Sequence, residues 1–243
     1  MKYVALALAP LLASLAACSG GGDGNVQQAA PVAAVAAPAG GNWTETVAKT
    51  AEGYLLGNPA APIKLVEYGS RMCPTCGAFA REGMQPLENT YVASGKVSYE
   101  FRDFMVHGAM DLPATLLGQC VDQSAFFVVL EQAFQNQQAF LDKLQAMPPA
   151  TQQQLQTMPP VQAVNTMADQ MGMVDFFKQR GLPEAKARQC MADTAKIDAL
   201  TKITQDASTA GTVTGTPTFL LNGKKLDAVS WKQVEQALKA AGA

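Results

Sequence analysis

The sequence predicts an α/β domain that carries an inserted helical subdomain. Three observations lead there. The apolar run Ile63-Lys-Leu-Val-Glu-Tyr68 reads as a central strand, and helical spacing follows from Pro74 to about Asn89. Val97 to Phe104 then alternates, with Val97, Tyr99 and Phe101 on one face and Ser98, Glu100 and Arg102 on the other, as a strand half packed on a core does. Strand, helix, strand makes a right-handed βαβ unit. From about residue 107 to 205 nothing reads as strand, and strand pattern returns only at Thr216.

Composition bounds the rest. A chain of 243 residues, 48% hydrophobic, suffices for one domain with an insertion. The net charge of -2 and the lack of a basic patch exclude nucleic acid as an expected partner. No apolar run is long enough to span a bilayer as a helix.

The N-terminus has the plan of an export signal. Met1-Lys2 is a short positive start, Tyr3 to Ala17 is apolar, and Leu15-Ala-Ala-Cys18 closes it. That last tetrapeptide resembles the lipobox of bacterial lipoproteins. The resemblance implies a signal peptide over 1–17, cleavage before Cys18 and lipidation of its thiol. Ser19, rather than Asp, implies sorting to the outer membrane. The alternative is an ordinary signal peptide with a chance cysteine. Residues 18–42, rich in Gly, Ala, Pro and Val, read as a flexible linker. The folded domain is expected over 43–243, with the helical insertion at about 107–205.

Within the domain, Tyr54-Leu55-Leu56 is a short strand ended by Gly57-Asn58-Pro59. Gly83 and Pro86 should kink the first helix. Helical spacing recurs through the insertion, with breaks at Pro148-Pro149, Pro159-Pro160, Gly172 and Gly181-Leu182-Pro183. Met147, Met158, Met167, Met171 and Met173 read as core filler, the alternative being an adaptable binding surface. A longer helix runs from Asp193 to about Ala210. Asn222-Gly223 between short strands signals a tight hairpin, and Ser230 with Gln233 forms a capping box for the last helix.

Cys73-Pro74-Thr75-Cys76 is the stretch that carries chemistry. Strand, Cys-X-X-Cys, helix is the setting in which this spacing means redox exchange. Cys73 lies at a helix N-terminus, where free N–H groups and the dipole favour a thiolate. Cys76, one turn further in, is placed to resolve a mixed disulfide. Glu67, a carboxylate inside an apolar strand, is either a strand-end charge or a partly buried proton acceptor for Cys76. Pro217 opens a strand and cannot donate to its ladder, so Thr216-Pro217 is a candidate edge for an extended substrate. As an arbitrary X-Pro bond it would be trans.

These residues together resemble the DsbA-like disulfide oxidoreductases of thioredoxin fold, in the branch with a helical insertion. The resemblance runs from about Trp43 to the C-terminus. It rests on Gly57-Asn58-Pro59-Ala60-Ala61-Pro62, Leu65-Val66-Glu67-Tyr68, Cys73-Pro74-Thr75-Cys76, Phe101-Arg102-Asp103-Phe104 and Gly215-Thr216-Pro217-Thr218-Phe219. It implies Cys73 as an exposed nucleophile, Cys76 as resolving thiol, Glu67 as buried acid and Pro217 as a cis-proline. Cysteine-containing exported proteins would be the substrates and a membrane redox partner would recharge the pair. No cofactor is implied.

Two cysteines remain. Cys120 and Cys190 fall in the insertion, and an exported location permits a disulfide between them. It would close a loop of about 70 residues, worth roughly 4 kcal/mol in the chain-entropy model. Two free buried thiols or a second redox pair are the alternatives. Two other functions compete with exchange. Cys73 and Cys76 with His107 or Met72 would make a copper- or metal-handling protein. Or the chain is a surface lipoprotein without turnover.

One departure from the family bears on strength. Its strongest oxidants have His where this chain has Thr75, and a neutral hydroxyl stabilises a thiolate less than an imidazolium. The expected potential is therefore below the roughly -120 mV of DsbA, in the region of about -180 to -230 mV. Equilibration with glutathione buffers measures it, and a value near the DsbA figure would refute the argument from Thr75.

Overall fold

The computed structural model describes residues 29–243. The expected signal peptide, Cys18 and the first part of the linker lie outside the described residues. Among the described residues six strands form one sheet in the order β1-β2-β4-β3-β5-β6. They are β1 (Val47–Lys49), β2 (Tyr54–Gly57), β3 (Ile63–Gly69), β4 (Val97–Asp103), β5 (Thr218–Leu221) and β6 (Lys224–Lys225). Only β3 and β4 run parallel, with register Ile63↔Val97 through Gly69↔Asp103; the other pairs are antiparallel. The connection between the parallel strands is α1 (Pro74–Pro86), extended by a π-helical turn at Leu87–Val92. The expected kink is thus a change of helix type after Pro86, which has no N–H to continue the α-helical ladder.

β3 is central, and Ile63, Leu65, Glu67, Tyr68 and Gly69 along it are all buried. Phe79 and Met84 of α1 pack on it, beside Val234 and Leu238 of α10 (Trp231–Ala240). The Gln233 side chain reaches back to the Ser230 N–H at 3.2 Å, completing the capping box. Asn222 and Gly223 both adopt positive φ, 49° and 79°, as the two-residue hairpin between β5 and β6 requires.

β4 differs from the half-packed strand its alternation suggests. Ser98 and Glu100, on the polar face, are buried as well. Glu100 is covered by groups that hydrogen-bond it: Thr50 Oγ1 at 2.7 Å and Arg102 at 3.0 and 3.1 Å. A polar face can be covered when each lone pair finds a donor.

The linker expectation is corrected over residues 29–42. This stretch is a strap held against the domain. The N–H groups of Ala29 and Val32 donate to the carbonyls of Ala240 and Gly242 at 2.9 and 2.8 Å. Ala240 is the last residue of α10, where a helix leaves acceptors unpaired, and Gly242 lies two residues beyond it. Val35 donates to the Ser94 carbonyl at 2.9 Å, and Trp43 Nε1 donates to the Val35 carbonyl at 2.7 Å. Gly95, at φ +70°, leaves room for the strap; a Cβ there would stand 2.2 Å from the Val35 carbonyl oxygen. Ser94 and Gly95 directly precede β4. The strap therefore grips the pole of the sheet where β3 and β4 begin, a strand length of roughly 20 Å from the Gly69 end.

Between β4 and β5 lies the insertion, wholly helical among its regular elements: α2 (Leu112–Gly118), α3 (Phe126–Gln135), α4 (Gln137–Gln145), α5 (Pro149–Leu155), α6 (Pro160–Gln170), α7 (Met173–Lys178), α8 (Glu184–Met191) and α9 (Thr194–Thr209). Met167, Met171 and Met173 belong to its buried core and Met147 is buried as well, whereas Met158 is only half-buried and outside that core. Cys120 and Cys190 are joined as a disulfide with Cα atoms 6.3 Å apart, tying the end of α2 to α8.

Candidate active site

The end of β3 delivers Ser70, Arg71 and Met72, and the chain then turns into α1. Cys73 is the N-cap residue, with Pro74 in the first helical turn. Proline suits that position because its missing N–H would have no helical partner. The expected exposed nucleophile is in fact largely covered: Cys73 is 6% exposed. The cause is the loop before β5. The Thr216-Pro217 peptide is cis, and the Thr216 carbonyl lies 3.3 Å from the Cys73 sulfur, a hydrogen bond that only the thiol form can make. Cys76 is fully buried one turn below, and both cysteines are free thiols.

The surroundings split the two thiols apart. A hydrogen bond from the Cys76 thiol is the largest influence lowering the Cys73 pKa, to about 5; burial opposes it, and Thr216 and the backbone N–H groups of Cys76 and Thr75 assist. The Thr75 side chain is exposed, so here its backbone serves the sulfur. Cys76 moves the other way, well above an ordinary thiol, through burial first and then its neighbours Cys73 and Glu67. The pair therefore holds one anion and one proton at neutral pH.

Glu67 is 1% exposed. Its register partners are Phe101 on β4 and Phe219 on β5, so apolar strands flank it on both sides. Burial raises its pKa to about 8; the Tyr99 hydroxyl, donating to Oε2 at 2.6 Å, pulls the other way, and the Cys73 charge raises it further. The second carboxyl oxygen is buried without a partner. A carboxyl in this setting keeps its proton at pH 7 and has it to give. Tyr99 was legible only as an inward-facing strand residue; nothing in the sequence paired it with Glu67.

A second buried cluster braces the loop. Arg71, 1% exposed, makes a two-pronged ion pair with Asp103 at 3.0 and 3.3 Å. Its guanidinium lies over the rings of Phe101 and Phe126, and Gln119 donates to Asp103 at 2.9 Å. Ser70 donates to Asp111 at 2.8 Å and accepts from the Met72 N–H at 3.0 Å. The ligands of the competing metal reading are engaged elsewhere: Met72 packs in the core of the insertion and His107 Nδ1 lies 3.1 Å from Asp111. Among the described residues no group of three or more His, Cys, Asp or Glu is arranged to hold a metal ion.

A thioredoxin family model matches residues 49–240. The chain belongs to the thioredoxin family. Among solved structures it is similar to a protein-disulfide isomerase of Novosphingobium aromaticivorans, at 29% identity and a TM-score of 0.73, covering 78% of this chain and 97% of that one. It shares the fold of alpha-DsbA1 of Wolbachia pipientis, at 20% identity and a TM-score of 0.59, covering 76% and 87%. A chain of Rickettsia prowazekii, provisionally named a protein-disulfide oxidoreductase, is 23% identical over 190 residues, covering 77% of this chain and 60% of its own. The chain thus spans about three fifths of the length of the curated relatives it matches. The thioredoxin fold with a helical insertion, expected from the sequence, is the fold observed.

Glu67 makes a pH-dependent prediction. Its carboxyl binds a proton more tightly folded than unfolded, from the ordinary value of 4.5 up to about 8. Its contribution to stability is therefore present below pH 4.5 and lost as pH rises through about 8. Glu67→Gln should flatten that decline in denaturant titrations of the reduced protein between pH 5 and 8. It should also slow release of Cys76 from the disulfide by about 10- to 100-fold, read by stopped-flow reduction. An unchanged reduction rate would remove Glu67 from the proton path.

Proposed function

We propose that this chain is a thiol–disulfide oxidoreductase acting on cysteine-containing exported proteins. The observation that carries the reading is the Cys73 sulfur at the mouth of α1, within reach of the Cys76 thiol and of the N–H groups of Thr75 and Cys76, above a Cys76 and a Glu67 that keep their protons. In the oxidising direction a substrate thiolate attacks Cys73 of the Cys73–Cys76 disulfide. A substrate–Cys73 bond forms, the Cys73–Cys76 bond breaks, and Cys76 leaves as a thiolate that takes the Glu67 proton. A second substrate thiol, deprotonated, attacks the substrate sulfur of the mixed disulfide and releases Cys73 as a thiolate. The substrate has lost two electrons and the pair has gained them. Run backwards, the same steps reduce a substrate. The pair itself carries the electrons, so the cycle calls on no cofactor.

Thr216 and Pro217 are assigned to hold the substrate. β6 pairs only with Leu220 and Leu221, which leaves Thr216-Pro217-Thr218 as a free edge beside the sulfur. An extended peptide can lie along it and donate to main-chain carbonyls while the sulfurs react. Recharging is assigned to a membrane redox partner.

The same reading gives the chain an envelope location. Leu15-Ala-Ala-Cys18 supports lipidation of Cys18 and anchoring on the periplasmic side, at the outer membrane. With residues 29–42 strapped to the domain, only about ten residues remain between Cys18 and the strap, a span of at most roughly 35 Å. The anchor would leave from the pole opposite Cys73, turning the redox pair toward the aqueous side.

Cys76→Ser should accumulate mixed disulfides with exported proteins, visible as thiol-sensitive adducts on non-reducing gels, whereas Cys73→Ser should accumulate none and lose insulin reduction. Adducts on both variants, or on neither, would sink the exchange reading. Cys18→Ser should move the protein from the membrane to the soluble envelope fraction and abolish labelling by a fatty-acid probe. A membrane-bound, unlabelled variant would contradict the anchor.

A further inference from the structure

Among the contacts between the inserted subdomain and the redox loop, one side chain bonds the backbone carbonyl of Cys73 itself. α3 ends at Gln135 and α4 begins at Gln137, and the break at Asn136 turns the Gln137 side chain toward the start of α1. Gln137 is 2% exposed. Its amide nitrogen donates to the Cys73 carbonyl at 2.8 Å and to the Arg71 carbonyl at 3.0 Å. Two acceptors fix which end of the amide faces them, since only the NH2 group can donate. The bond to Arg71 and the bond to Cys73 bracket Met72, so one amide clamps the turn on both sides.

Gly77 makes room for this contact. A Cβ on Gly77 would stand 2.1 Å from Gln137 Oε1 and 2.9 Å from Arg81 Nη1. Glycine in the second turn of a helix lowers helix stability relative to alanine, and here its lack of a side chain is what lets the amide lie flat on the turn. The Cys73 carbonyl also accepts from the Gly77 N–H at 3.1 Å, so the clamp and the first helical bond share an acceptor.

We propose that Gln137 is a positioning residue for the exchange reaction, by which the helical insertion sets the conformation of the Arg71–Cys73 turn and so the place of the Cys73 sulfur. This inference rests on the reading of Cys73 as nucleophile. The sulfur is stabilised by N–H groups of Thr75 and Cys76 and by Thr216, all of which depend on where the turn puts it. Release of the two carbonyls lets the turn relax while α1, anchored by Phe79 and Met84, stays in place. The N–H groups then point past the sulfur, and the thiolate loses stabilisation. The peptide-binding edge at Thr216 is untouched by the change.

The test compares Gln137→Met, Gly77→Ala and the control Gln138→Ala, an exposed neighbour whose side chain bonds only Asp142. Thiolate absorbance at 240 nm is titrated in reduced protein, with the redox potential measured on the same samples. Gln137→Met and Gly77→Ala should each raise the Cys73 midpoint by about one pH unit and lower the alkylation rate at pH 5.5 about threefold. Both should make the potential more reducing, and the control should match the wild type. Gly77→Ala tests the clamp from the opposite side, and a circular dichroism spectrum and unfolding midpoint matching the control show that a shared shift does not come from loss of folding. If Gln137→Met does not fold, Gly77→Ala alone decides. A midpoint and potential unchanged in the folded variants would overturn the positioning role while leaving exchange intact. A wild-type Cys73 that titrates like an ordinary thiol would instead remove the exchange reading itself.

Discussion

The site depends on a single electrostatic constraint. Three acidic groups, Cys73, Cys76 and Glu67, share a poorly solvated space under the start of α1, and that space tolerates one negative charge. The charge goes to Cys73 because the Cys76 thiol donates to it, with Thr216 and the free N–H groups of the helix N-terminus assisting. Cys76 and Glu67 are left as acids. Neighbouring elements follow from that constraint: Phe101 and Phe219 keep water from Glu67, and Tyr99 supplies one hydrogen bond, enough to orient the carboxyl without ionising it.

The insertion is part of this arrangement. Arg71 links the redox turn to Asp103 at the end of β4, and the same arginine is covered by Phe126 of α3. Gln119, next to the Cys120–Cys190 disulfide, completes the Asp103 shell. Arg71 Nη1 is left buried without a hydrogen-bond partner, and a buried ion pair is costly to break singly. The insertion therefore shares the charges and carbonyls of the turn with the sheet, and the seam between them runs directly beneath the cysteines.

Much of this was legible beforehand because it is local. Period-two and period-3.6 patterns, the Asn222-Gly223 turn and the Ser230 cap each depend on neighbours a few residues away. Glu67 stood out because a carboxylate is foreign to an apolar strand. The strap was misread for a physical reason: low charge and many prolines describe both a free linker and a segment without regular structure that is bound to a surface. β4 was half right, since alternation marks two faces but does not say whether a polar face is covered. Gln137 left no trace at all, being one glutamine among many in a glutamine-rich stretch.

By itself the sequence determined the order of elements, the Cys-X-X-Cys pair at a helix start, a carboxylate within an apolar strand and the proline before β5, because each follows from short-range chain chemistry. Tertiary structure alone decided that Cys73 is covered, that Tyr99 meets Glu67, that the Gln137 amide reaches the Cys73 carbonyl, and that residues 29–42 bind the far pole. Those facts join residues from 32 to more than 200 positions apart in the chain. Contacts over such separations arise from how the sheet, the insertion and the strap close on one another, and a one-dimensional pattern does not record that closure.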